Sequence, residues 1–234
     1  MSDTASDTAN EHPEDHDAAL AAYQRGDYSQ ALALWLLRAE QGDAEAQGWV
    51  GALYVNGEGV APNYATGFHW YLQAAKGGNP KAQANVGAMY HLGQGVAADP
   101  AAAFHWSKQA AEAEDLNGLF NLAVLYGKGI GCEVEEGRAV ELYRRAAQRG
   151  HYPSQSRLGY CYAQGRGVAK DRVQAYLWLS LAAQHGIGTA LDALEGVVKQ
   201  MSAEEKAQGE QLAAQWRSGS GQQAAQVALY PVPS

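Results

Sequence analysis

Residues 80–115 read PKAQANVGAMYHLGQGVAADPAAAFHWSKQAAEAED, and this stretch decides the fold because its pattern recurs along the chain. The blocks 44–79, 116–151 and 152–187 have the same length of 36 residues. One shared position holds Tyr and two others, which are two residues apart, hold Gly: Tyr54, Tyr90, Tyr126 and Tyr162, then Gly57, Gly93, Gly129 and Gly165, then Gly59, Gly95, Gly131 and Gly167. A fixed period of this length indicates a repeat architecture with one supersecondary unit per repeat.

Each block predicts a helix, a turn and a second helix. Residues 82–90 place small and apolar side chains at helical spacing, which predicts the first helix. Gly93 and Gly95 end that helix, because glycine readily adopts the left-handed conformation of a helix C-terminus. Asp99 and Pro100 then begin the second helix as its N-cap and first residue. The equivalent N-cap positions of the other blocks hold Asn63, Glu135 and Asp171.

One such helix pair cannot bury its own apolar face, whereas stacked pairs share a continuous core. The sequence therefore predicts an all-α fold, an α-α superhelical solenoid of helix–turn–helix repeats of the tetratricopeptide type. Ser202 and Glu205 form the pattern of a capping box at the start of a final helix. The predicted solenoid spans residues 15–217, divided into an atypical first repeat (15–43), full repeats (44–79, 80–115, 116–151 and 152–187) and a C-terminal cap (188–217). Residues 1–14 are predicted to be a disordered acidic tail and residues 218–234 a flexible tail.

The recurring columns resemble the Sel1-like repeat, a relative of the tetratricopeptide repeat. The first full block carries the resemblance most closely, with Gly51 to Tyr54, Gly57-Glu58-Gly59-Val60, Trp70-Tyr71 and Ala74-Ala75 to Gly78. The third departs from it at Ala123, Cys132 and Leu142, where we expect slightly different local packing and the same fold. The resemblance implies an adaptor whose concave surface, lined by the first helix of each pair, holds a partner peptide or protein. It implies no common chemistry.

Charge and composition exclude several classes of function. The net charge of the chain is -8, and residues 1–17 contain six acidic residues and no Lys or Arg, so the remainder carries -2. A nearly neutral body does not favour nucleic acid as the main partner, because phosphate binding needs concentrated positive charge. The chain has no apolar run long enough for a membrane span and no signal-peptide pattern. With only two cysteines, Cys132 and Cys161, it is predicted to be cytoplasmic.

The sequence nominates no catalytic group, metal or cofactor. The glycines of residues 127–131 lack the spacing of a phosphate-binding loop, and His12 and His16 have no third metal ligand beside them. The prediction is therefore a non-enzymatic scaffold. Two alternatives stay open. Secreted, cysteine-rich relatives imply a β-lactamase-like hydrolase, although this chain lacks their periodic cysteines. The chain is alternatively a homo-oligomeric structural element that takes its own acidic tail as the ligand.

Alignment of Gly51 and Tyr54 with the packing face of a tetratricopeptide helix predicts which residues face the groove. These candidate partner-binding residues are Trp49, Asn85, Asn121 and Arg157 in one column, with Lys81, Asn117, Phe120, Lys128, Tyr160 and Gln164 in others. Stacked Asn side chains suit binding of an extended peptide backbone, because an amide both donates and accepts hydrogen bonds. Equally, these amides could form hydrogen bonds with neighbouring helices of the solenoid. The basic side chains would bind acidic groups, and Phe120 and Tyr160 would serve as apolar anchors.

Overall fold

The computed structural model describes residues 13–220, and all regular secondary structure in this range is helical. The described chain divides into two compact units, the first ending at Asn79 and the second beginning at Pro80. Most of both predicted tails, residues 1–12 and 221–234, lies outside the described residues. The first helix begins at Pro13 and the last ends at Ser220, so each enters the range that was predicted to be a tail by two or three residues.

The first unit contains four helices, each packed against the next along the chain: α1 (Pro13–Gln24), α2 (Tyr28–Glu40), α3 (Ala44–Asn56) and α4 (Tyr64–Lys76). Its core is aromatic, because the indole rings of Trp35 and Trp49 stack with centroids 4.5 Å apart and Tyr23 packs on both. Helices α3 and α4 approach closely at Gly51, where a Cβ atom would lie 2.9 Å from the ring of Tyr71. The glycine column therefore sets the spacing of this helix pair.

The second unit contains eight helices: α5 (Pro80–Leu92), α6 (Pro100–Glu112), α7 (Leu116–Lys128), α8 (Glu136–Gln148), α9 (Tyr152–Gln164), α10 (Arg172–Gln184), α11 (Gly188–Val198) and α12 (Ala203–Ser220). Helices pack in the pairs α5–α6, α7–α8 and α9–α10, and α5 also packs on α7. Helix α11 packs against α9 and α10, while α12 packs against α10. This arrangement confirms the predicted all-α solenoid of stacked helix pairs.

The predicted N-cap positions of the second helices are confirmed. Asp99 and Asp171 accept backbone hydrogen bonds from the first turns of α6 and α10, as the N-cap assignment requires. Ser202 and Glu205 form the reciprocal hydrogen bonds of a capping box before α12. Glu135 also lies at the predicted N-cap position of α8, but its side chain makes no capping hydrogen bond. Its carboxylate binds Arg138 instead, at 2.9 Å.

The two glycines of the loop after α9 have different surroundings. Gly165 ends α9 in the left-handed conformation, with φ of 73°, and a Cβ there would have ordinary contacts of 3.4 Å or more. Gly167 also has a positive φ, but its Cβ would lie 2.3 Å from the carbonyl oxygen of Glu136, the first residue of α8. The second glycine therefore lets the loop of one repeat contact the start of the second helix of the preceding repeat.

Candidate functional site

Helix α9 separates its buried and exposed residues cleanly. Gln155, Leu158 and Gly159 are buried against neighbouring helices, and the Gln155 Nε2 donates to the carbonyl oxygen of Ala147 at 3.2 Å. Arg157, Tyr160 and Gln164 lie three or four residues apart, so they share the opposite face of the helix. Tyr160 is 46% exposed, so much of its side chain is accessible to a partner.

Three cavities meet at Tyr160, and we refer to them together as the basic cleft. The first, between α7, α8 and α9, has a volume of about 150 Å³. The second opens toward the start of α11 and has a volume of about 380 Å³, and the third, beside α10 and α11, has about 220 Å³. Their lining includes Phe120, Val124, Lys128, Tyr143, Arg157, Tyr160, Cys161, Gln164, Arg166, Lys170, Arg172 and Ile187.

The basic cleft has an excess of positive charge. Five basic side chains line it, and Glu136 is the one acidic residue in its lining. Arg166 binds the carboxylate of Glu136 at 2.8 Å, and Arg172 binds Glu205 at 3.3 Å. Within residues 13–220, the other three basic side chains of the lining have no ion-pair partner: Lys128, Arg157 and Lys170.

The positive field acts on buried groups of the cleft. Burial raises the pKa of Tyr143 to about 12, while the nearby Arg157 and Arg166 act in the opposite direction by favouring the phenolate. Burial likewise raises the pKa of the Cys161 thiol, and Arg166 and Arg157 again oppose that rise. On α5, burial and then the charge of Lys128 lower the pKa of His91. The charges of Arg157 and Arg166 therefore only partly offset the cost of burying a negative charge at Tyr143 or Cys161.

The structure brings together half of the predicted groove residues. The members that line the basic cleft are Phe120, Lys128, Arg157, Tyr160 and Gln164. Sequence reasoning missed Arg166, Lys170 and Ile187 because it considered only the first helix of each pair, and these residues lie in loops. The sequence does contain a signal for Arg166. This arginine lies between the two loop glycines, where the other repeats have Glu58, Gln94 or Ile130.

In the Trp49–Asn85–Asn121–Arg157 column, Trp49 and Asn85 are buried, contrary to the predicted exposure in the groove, and Asn121 is half-buried. Trp49 is only 2% exposed, because its ring stacks on Trp35 of the preceding helix. Asn85 is 7% exposed. The Asn121 Nδ2 donates to the Ala84 carbonyl oxygen at 3.0 Å, joining α7 to α5. The reading in which Asn121 satisfies a neighbouring helix is therefore the one observed.

Lys81 and Asn117 also lie outside the basic cleft. Lys81 is exposed on α5, where its charge acts on Asp115; burial raises the pKa of that carboxyl, and Lys81 partly opposes the rise. Asn117 belongs to a hydrogen-bonded cluster with His151. Neither residue lines the cavities around Tyr160.

Ser154, His151 and Asn117 form the arrangement that comes nearest to a catalytic set. The His151 Nδ1 lies 2.7 Å from the Ser154 Oγ, and its Nε2 lies 3.2 Å from the Asn117 Oδ1. One neutral tautomer satisfies both contacts, and burial lowers the pKa of His151 to about 4. Ser154, however, is 0% exposed, so no substrate can reach its hydroxyl. The cluster orders the start of α9 and supplies no accessible nucleophile.

The described residues also show no metal site, no disulfide bond and no membrane-spanning helix. No group of three or more His, Cys, Asp and Glu side chains among residues 13–220 is arranged to hold a metal ion. Cys132 and Cys161 are both free thiols. No described helix has the combination of length and apolar character that a bilayer crossing requires.

Helix pairs recurring every 36 residues define a helical repeat protein. The Sel1 repeat family model matches residues 44–79, 80–115, 117–151 and 153–187. A Sel1 repeat protein from Oxalobacter formigenes is similar in structure, with 30% sequence identity, a TM-score of 0.65 and coverage of 89% of this chain and 85% of that one. The chain belongs to the Sel1 repeat family.

Two further solved structures share the fold at lower identity. A protective antigen of uropathogenic Escherichia coli strains is 24% identical with a TM-score of 0.57, and the match covers 94% of this chain and 57% of that one. A sel1 repeat protein from Klebsiella pneumoniae subsp. pneumoniae is 18% identical with a TM-score of 0.53, covering 79% and 91%. A comparison with curated proteins finds no match. Sel1 repeat proteins are in general scaffolds for protein–protein interaction.

Proposed function

We propose that this chain is a non-enzymatic, cytoplasmic scaffold that docks a partner protein in the basic cleft. The observation that carries the proposal is Tyr160, which is 46% exposed at the point where three cavities meet. Tyrosine and arginine are the residue types enriched in interaction hot spots, and Arg157 lies one turn from Tyr160 on the same face. Of the other predicted first-helix residues, Trp49 and Asn85 are buried, and Asn117 and Asn121 make hydrogen bonds within the fold.

The basic cleft replaces the longer groove as the proposed docking surface. A groove that included Trp49 and Asn121 would require the Trp35–Trp49 stack and the Asn121 hydrogen bond to open for a partner. The cleft around Tyr160 needs no such rearrangement, because its cavities are already present. A preformed surface loses less conformational entropy when it binds.

The hydrolase alternative has no supporting observation. It needs an accessible nucleophile beside a base, and the Ser154 hydroxyl that contacts His151 is enclosed. The homo-oligomer alternative depends on the acidic residues 1–17, most of which lie outside the described range. Sedimentation of the full chain and of a chain lacking residues 1–12 tests that alternative separately at low salt.

The proposal is tested by affinity capture from a lysate of the native cells, with quantitative mass spectrometry. The variants are Tyr160→Ala and a matched control, Tyr64→Ala, which removes a tyrosine of similar exposure from α4. We expect proteins that are retained by the wild type and the control to be lost with Tyr160→Ala. Circular dichroism must show equal helicity for all three chains. Unchanged retention with Tyr160→Ala contradicts the proposal.

A further inference from the structure

We infer that the basic cleft recognises an acidic segment of its partner, whose carboxylates bind Arg157 and Lys128 while an apolar side chain packs on Tyr160. This inference rests on the proposed function and adds the chemistry of the partner. Both basic residues line the same cavity between α7 and α9, and Tyr160 lines it too. The ligand therefore meets charge and aromatic surface at one place.

The charge of the cleft opposes that of the whole chain. The protein carries a net charge of -8, yet five basic side chains and a single carboxylate line the cleft. That carboxylate, on Glu136, already binds Arg166. No acidic residue of the described lining is left to neutralise Arg157, Lys128 or Lys170. An incoming carboxylate supplies the missing counter-charge.

Three arginines around α8 are neutralised by carboxylates of the second unit. Arg145 of α8 and Arg149, the residue that follows this helix, both bind the carboxylate of Glu114. Arg138 binds Glu135 in the same way. Arg157 and Lys128 differ from these three arginines because no carboxylate binds them, and they share one cavity.

The shape of the site favours a peptide carboxylate. The guanidinium of Arg157 presents parallel N–H donors that match the two oxygens of a carboxylate, and the ammonium of Lys128 adds a point charge. Phe120, Tyr160 and Ile187 line the adjoining cavity and offer an apolar surface for a neighbouring side chain. Alternate side chains of an extended peptide can therefore reach the basic and the apolar parts of the cleft.

Single-stranded nucleic acid also combines negative charge with groups that stack on aromatic rings. It is disfavoured here because the cleft has three unpaired basic side chains and the surrounding chain is acidic overall. Nucleic-acid affinity depends on many phosphate contacts along a continuous positive surface. An acidic peptide needs one or two carboxylates in the right place.

The test is selection of random peptides displayed on phage by the purified full chain. The same library is selected in parallel by Arg157→Gln/Lys128→Gln and by a control, Lys76→Gln, which removes an exposed basic residue from α4. We expect the wild type and the control to enrich peptides that combine Asp or Glu with an apolar residue. The double variant should bind those peptides at least about tenfold more weakly by fluorescence anisotropy, because the loss of even one charge-assisted hydrogen bond is expected to weaken binding by about that factor.

Three results overturn the inference: enrichment of peptides without acidic residues, equal binding by the double variant, or tighter binding of a single-stranded oligonucleotide than of any selected peptide. The lysate capture separates this failure from failure of the proposed function. If cellular partners still depend on Tyr160 while selected peptides are not acidic, the scaffold proposal stands and the acidic specificity falls. If partner retention is also independent of Tyr160, both fall.

Discussion

Helices α3 and α9 have the same position in their repeats, but one column of the repeat has opposite roles in them. Trp49 of α3 is buried and stacked on Trp35, whereas Arg157 of α9 is exposed in the basic cleft. The backbone positions are equivalent, so the difference comes from the side chains and their neighbours. The same column can stabilise one repeat and leave another available for a ligand.

The loops that follow the two helices do not diverge in this way. Gly59 after α3 contacts the backbone of Tyr28, and Gly167 after α9 contacts that of Glu136. In both places the loop lies on the first residue of the second helix of the preceding repeat. The repeat therefore keeps its backbone contacts constant and varies the side chains of its first helix.

The largest effect on stability is expected at the repeat position that holds Trp49 in α3 and Arg157 in α9. Trp49→Ala should lower the free energy of unfolding by about 3–5 kcal/mol, because it leaves a cavity beside Trp35. Arg157→Ala, at the equivalent position, should change it by no more than about 0.5 kcal/mol, as for other exposed substitutions. Urea unfolding followed by circular dichroism measures both. Equal destabilisation by the two substitutions would remove the distinction between the helices.

The second prediction concerns the loop contacts that the two repeats share. Gly59→Ala and Gly167→Ala should each destabilise the fold by about 2–4 kcal/mol, through left-handed strain and overlap with the preceding repeat. Gly165→Ala introduces the strain without the overlap and should cost about 1–2 kcal/mol. Thermal and urea unfolding of the three variants gives the comparison. A cost for Gly165→Ala as large as that for Gly167→Ala would show that the close contact contributes nothing.

The start of α9, unlike that of α3, contains a buried histidine, and it predicts a dependence of stability on pH. Because burial lowers the pKa of His151 from 6.5 to about 4, the unfolded chain takes up a proton first as the pH falls. Stability is therefore unaffected above about pH 6.5 and decreases between about pH 6.5 and 4, by at most roughly 3 kcal/mol.

The control for this prediction compares two histidine substitutions. His151→Gln should flatten the decrease, whereas His105→Gln, at an exposed position of α6, should preserve it. Asp115 has a pKa raised by burial and acts in the opposite direction, but it is present in every variant, so the difference between curves isolates His151. Parallel curves for the wild type and His151→Gln would refute the assignment.

The smallest effect concerns the turns that precede the first helices. Those before α3 and α9 have Gly42 and Gly150 at a left-handed position, but the turn before α7 has Glu114 there, with φ of 60°. Glu114→Gly should relieve about 1 kcal/mol of strain and lose exposed ion pairs to Arg145 and Arg149 worth about as much or less. The net change in unfolding free energy should lie between zero and a gain of about 1 kcal/mol, measured by urea unfolding. A clear loss would show that the paired arginines outweigh the strain.

The sequence by itself determined the repeat, the helix pairs and most of the caps. These are local properties: Asp99 caps a helix two and three residues away, and the side chains of one helix face follow its own period. Position within the repeat also identified Tyr160, Arg157 and Lys128 as exposed, whereas Phe120, which was predicted to be exposed, is half-buried against Tyr143 and His151. Local rules were sufficient because each of these features depends on residues within one or two turns.

Only the tertiary structure decided which candidates remain available. Trp49 is covered by Trp35 from the atypical first repeat, and Asn121 binds the carbonyl of Ala84, 37 residues earlier. The pairing of Arg166 with Glu136 across 30 residues leaves Arg157 without a counter-charge. Such contacts depend on which side chains the stacking of helices brings together. A repeat pattern specifies that helices stack, while the individual side chains at each junction decide what is buried, paired or left open.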